Sequence, residues 1–72
     1  MRVEKTGHYV TGGGYQAEVY EIRAAYCLGF VWPRDAGRTP AIWRVENGTI
    51  MGYMPGCELV QYIGPFEQPT VQ

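Results

Sequence analysis

The stretch Tyr15–Leu28, "YQAEVYEIRAAYCL", decides the fold. It is the one window of a dozen residues or more that holds neither glycine nor proline, so an ordinary helix has nowhere else to form. Its spacing is that of a strand. Tyr15, Ala17 and Val19 fall on one side of a period-two pattern, and Gln16, Glu18 and Tyr20 fall on the other. The phase then slips, because Ile22 and Ala24 are apolar while Glu21 and Arg23 are polar. A β-bulge near Tyr20–Glu21 absorbs such a slip and bends a long strand, as a small barrel requires.

Upstream, Gly7–Thr11 ("GHYVT") reads as a short strand, and Gly12-Gly13-Gly14 reads as the turn of a first hairpin. Downstream, Leu28–Trp32 is the next strand, entered through Tyr26-Cys27 and stopped by Pro33. Arg34–Thr39 is loop. Ala41–Glu46 alternates again, with Ala41, Trp43 and Val45 against Ile42, Arg44 and Glu46. Asn47-Gly48 predicts a two-residue type I′ hairpin, and Thr49–Tyr53 is expected to pair back. Met54-Pro55-Gly56 turns once more, and Glu58–Ile63 closes as a last strand or a turn of 3₁₀ helix. The expected fold is all-β: a small antiparallel SH3-like barrel or rolled sheet of five to six short strands, completed by oligomerisation. Residues 1–64 form the single domain, and 65–72, with two prolines, form a flexible C-terminal tail.

Size and composition narrow the function. A chain of 72 residues is one domain whose core supplies only about 3–5 kcal/mol. The N-terminal "MRVEKTGHYV" has no apolar signal-peptide region, so Cys27 and Cys57 are expected as free buried thiols in the cytoplasm. With His8 the single histidine, no metal and no cofactor are expected. Self-association remains as the support for so small a core, which makes a homo-oligomer the expected state. No apolar run approaches the roughly 18 residues that a membrane-spanning helix needs. A net charge of -1, without a basic face, argues against long nucleic acids.

Catalysis is not expected. The chain has no serine, one histidine and one aspartate, so a Ser–His–Asp set cannot be assembled. His8 with Cys27 or Cys57 can be written as a pair, but both cysteines sit among apolar neighbours with no cation beside them. "TGGGY" (Thr11–Tyr15) lacks the Lys-Ser/Thr that ends a phosphate loop.

Binding is the better expectation. "VWPRDAGRTPAIWR" (Val31–Arg44) holds both tryptophans and three of the five arginines. Pro33 and Pro40 stiffen the loop between them. Arg34 and Arg38 suit phosphate or carboxylate, and Trp32 and Trp43 offer flat faces on which a base stacks for about 1–3 kcal/mol. Arg44 completes the candidate ligand set. The bland readings stand beside these: Trp43 alternates as a core residue, Arg34 with Asp35 is a solvated turn, and Arg44 pairs with Glu46 or a cross-strand glutamate.

Four segments, "GHYVTGGGYQAEVYEI", "LGFVW", "AIWRVENGTIMG" and "CELVQYI", resemble small phage- and prophage-encoded β-strand proteins over Gly7–Ile63. The final segment departs, with Glu58-Leu59-Val60 where that pattern has Asp-Leu-Val. The resemblance implies a fold and a setting and transfers no catalytic residue. Some such proteins inhibit bacterial immunity, so the implied function is anti-defence in the cytoplasm of an infected host. The expected partner is a nucleotide-type immune signal (a cyclic nucleotide or ADP-ribose derivative), or else a host defence protein such as a nuclease or immune complex. A small structural or regulatory phage protein without a ligand is the remaining alternative.

Overall fold

A computed structural model describes residues 1–66, in which five strands form: β1 (Gly7–Thr11), β2 (Gln16–Ile22), β3 (Tyr26–Trp32), β4 (Thr39–Arg44) and β5 (Leu59–Gly64). All pairings are antiparallel in one sheet of order β4-β3-β2-β1-β5. The expected slip is present: Val19 faces Gly29 and Glu21 faces Leu28, so Tyr20 is the extra residue of a bulge. Gly29 makes that close approach possible. A Cβ there would lie 1.7 Å from the Glu18 carbonyl oxygen.

Three local expectations need correction. First, β2 ends at Ile22. Arg23–Ala25 is a turn closed by Arg23 N–H to the Tyr26 carbonyl (2.8 Å), and β3 starts there rather than at Leu28. Second, Asn47-Gly48 does not make a type I′ turn. Gly48 has φ 76° but Asn47 does not have a positive φ, and Gly48 N–H reaches back to the Arg44 carbonyl (2.8 Å) around Val45–Asn47. Third, Thr49–Tyr53 is not a strand. It reduces to a bridge between Ile50 and Trp43 and a bond from Met51 N–H to the Ile42 carbonyl, after which Gly52 (φ 91°) turns the chain away.

The sheet is not closed into a barrel, because β4 and β5 remain its two edges. Their surroundings meet at one point, where Leu59 N–H donates to the Gly48 carbonyl (2.9 Å). The core lies on the concave face. Ala17, Val19, Cys27, Val31 and Ala41 are small, which leaves room for Trp43, fully buried, and Tyr9 and Leu59 beside it. The indole Nε1–H of Trp43 donates to the Cys57 carbonyl at 2.7 Å, so the ring is buried without an unsatisfied donor. Val3 covers the cluster, held by its N–H on the Val45 carbonyl (2.8 Å). Pro65 and Phe66 begin the expected tail. Phe66 is seated on the sheet, stacked on Tyr20 at 4.5 Å, while 67–72 lie outside the described residues.

Candidate functional site

A β-strand sends alternate side chains to opposite faces, so filling the concave side fixes what the convex side shows. In β3 the inward residues are Cys27 and Val31, which places Leu28, Phe30 and Trp32 outward. In β4 the inward residues are Ala41 and Trp43, which places Pro40, Ile42 and Arg44 outward. The outer face divides in two. On β1 and β2 it is polar: Glu18 takes a hydrogen bond from Gln16 Nε2 (3.4 Å), another from the Tyr20 hydroxyl, and lies 3.4 Å from His8 Nδ1. That bond to the Glu18 carboxylate pushes the Tyr20 phenol above its ordinary pKa.

On β3 and β4 the same face is apolar and holds a groove. Leu28, Phe30, Pro40 and Ile42 form its floor, Tyr20 and Glu21 one wall, and Met51 and Met54 the other, enclosing about 550 Å³. Tyr20 remains 54% exposed and Ile42 44% exposed, so the groove lies open to solvent. Its one acid, Glu21, is engaged by Arg23 Nε. A second cation, Arg38, has its guanidinium 4.3 Å above the Phe30 ring. The aromatic platforms are already in use: Arg38 covers a face of Phe30, and Phe66 covers a face of Tyr20.

The expected ligand set is therefore not assembled as one site. Arg38 reaches the groove through Phe30. Arg34 stands exposed on the Pro33–Ala36 turn and lines neither concavity. Trp32 is half-buried at the end of β3, opposite Gln16, and lies off the groove. Trp43 cannot stack on a ligand, because its ring is entirely inside the core with its N–H taken. Arg44 lines a different concavity of about 310 Å³ with Arg2, Ala24 and Glu46. Sequence reasoning missed Tyr20, Leu28, Phe30, Ile42, Met51 and Met54. A signal for Leu28, Phe30 and Ile42 was present, because a strand with apolar residues at every position must show some of them outward.

The groove wall holds no serine, cysteine or histidine. Both cysteines are on the buried side, where desolvation pushes their thiols up and keeps them protonated. Among the described residues, no group of three or more His, Cys, Asp or Glu side chains could hold a metal ion. No helix is long and apolar enough to cross a membrane, again among the described residues. What the arrangement offers is an apolar slot with a guanidinium at its flank. No family model, curated protein or solved structure matches the chain.

Proposed function

We propose that this chain is a non-enzymatic binding module that docks an apolar segment of a partner protein in the β3–β4 groove. The observation that carries the reading is the split of the outer face, polar on β1–β2 yet lined by Leu28, Ile42, Met51 and Met54 beside them. Aliphatic and methionine side chains suit a protein anchor, and methionine adapts its shape to several anchors. Arg38 adds a preference for an acidic residue beside that anchor. In the setting that the phage resemblance implies, the partner is a host defence protein and docking inhibits it.

Arg38 also favours a second reading, in which the slot takes a nucleotide-type immune signal. The occupied faces of Phe30 and Tyr20 and the burial of Trp43 weigh against it, because few free platforms remain for a base. One experiment separates the two. Immobilised protein and its Ile42→Glu variant are offered a bacterial lysate, and both are tested by thermal shift against cyclic di- and trinucleotides. A host protein retained by the parent and released by Ile42→Glu supports the first reading. A nucleotide that stabilises the protein, with no protein retained differentially, refutes it and installs the second. A ligand at about 100 times its Kd adds about 2.7 kcal/mol, which a melting curve resolves easily.

A further inference from the structure

We infer that the β3–β4 groove is shielded by the chain's own residues 67–72, "EQPTVQ", with the Glu67 carboxylate on the Arg38 guanidinium and Val71 in the apolar slot. The inference rests on the docking function proposed above and supplies its regulation: a partner's anchor must displace a resident one.

Three observations converge on this occupant. The first is the position of Phe66. Its ring lies on the outer face of the sheet, edge-on to His8 at 5.0 Å and stacked on Tyr20 at 4.5 Å. Tyr20 belongs to the groove wall, and its other aromatic neighbour is Phe30 on the groove floor, 5.9 Å away. Residue 67 follows Phe66 by one peptide bond, about 3.8 Å between Cα atoms. The second is reach. β2 and β4 lie two strand spacings apart, about 10 Å. Residues 67–72, when extended, span about 20 Å.

The third is complementarity. Arg38 is exposed, and none of the ion pairs among the described residues includes it. Glu21, the acid of the groove, is engaged by Arg23. Residues 67–72 carry one charged side chain, Glu67, and one aliphatic side chain, Val71, four positions later. The groove presents the same order. Arg38 sits over Phe30, which pairs with Pro40, and the slot between Leu28, Ile42, Met51 and Met54 lies one strand repeat farther along. A tethered segment is held at an effective concentration of roughly millimolar order, so an affinity too weak to matter between separate molecules suffices within one.

Methyl-selective nuclear Overhauser spectroscopy on the full chain tests this with no partner present. Cross-peaks are expected from the Val71 methyls to the Ile42, Met51 and Met54 methyls, with relative intensities unchanged on tenfold dilution. Arg38→Glu, at an exposed position, should remove them, and Arg38→Glu combined with Glu67→Arg should restore them. If Arg38→Glu loses the parent's far-ultraviolet dichroism spectrum, Glu67→Lys, which lies outside the five strands, supplies the same readout. A parent without these cross-peaks overturns the inference, even if the lysate experiment retains a protein. Cross-peaks that survive Glu67→Lys, or that arise only between differently labelled chains, overturn it too. Intramolecular cross-peaks that Glu67→Lys removes, with nothing retained from the lysate by parent or variant, leave the shielding in place and refute the docking function alone.

Discussion

Trp43→Phe tests whether one indole organises the concave face. The ring is completely buried, and its N–H is the partner of the Cys57 carbonyl at 2.7 Å. Phenylalanine fills most of the space but donates nothing. Leaving a buried carbonyl unpaired costs about 1–3 kcal/mol. The missing ring atoms vacate roughly 40 Å³, and at about 24 cal/mol per Å³ this adds about 1 kcal/mol. The sum, about 2–4 kcal/mol, is comparable to the whole stability expected of so small a core. With a urea dependence near 1 kcal/mol per molar, the unfolding midpoint should fall by about 2 M or more. Urea titration at fixed protein concentration measures it, read by far-ultraviolet dichroism. Trp32→Phe is the internal control, expected to cost less than about 1 kcal/mol because that side chain is only half-buried. A Trp43→Phe variant that loses less than about 1 kcal/mol at an unchanged m-value would refute the reasoning.

Gly29→Ala places a methyl 1.7 Å from the Glu18 carbonyl oxygen, so β2 and β3 must separate at the bulge; a loss of about 1–3 kcal/mol in thermal unfolding is expected. Thr11→Val keeps the shape of a buried residue but removes the Oγ1 that accepts the Tyr15 N–H at 3.0 Å, and a denaturant titration should show about 1–3 kcal/mol lost. Alkaline pH should destabilise the fold. Burial raises the Cys27, Cys57 and Tyr9 pKa values, so the folded chain holds those protons more tightly than the unfolded one. Their contribution is complete below the ordinary thiol value of 9.0 and the ordinary tyrosine value of 10.0. It is lost as pH rises from there through the folded values, and melting temperatures measured from pH 7 to 11 should fall in that window. A melting temperature that rises across that range would contradict it.

Much of the fold is legible because period-two alternation is a local property. The bulge at Tyr20 follows from a change of phase within ten residues, and the inward placement of Trp43 follows from Ala41 and Val45 around it. The errors share a cause. Ala24 extended an apolar pattern on paper, but a methyl group drives little burial, and the backbone turned at Arg23–Ala25 instead. Asn47-Gly48 carries the chemistry of a tight hairpin. The longer turn prevails where Val45 is pulled into the core and takes the Val3 N–H, two constraints that come from distant parts of the chain. The groove was the least legible feature. Arg38 settling on Phe30, and Phe66 on Tyr20, are encounters between side chains 8 and 46 positions apart whose meeting depends on the completed sheet.

The proposed docking function also gives the guanidinium at the groove's flank a role. Covering the remaining exposed surface of Tyr20, Phe30, Ile42 and Met51 gains roughly 1 kcal/mol each, about 4 kcal/mol in all. Association itself costs at least about 4 kcal/mol, so apolar contact alone leaves an occupant barely held. A charge-assisted hydrogen bond from Arg38 to an acidic neighbour of the anchor contributes about 1.5–3 kcal/mol and tips that balance. On the proposed docking function, selectivity resides in the arginine more than in the slot, and apolar segments without an acidic neighbour are expected to dissociate readily. On the proposed reading, then, a marginal apolar slot becomes a selective one through the charge that Arg38 brings to its flank.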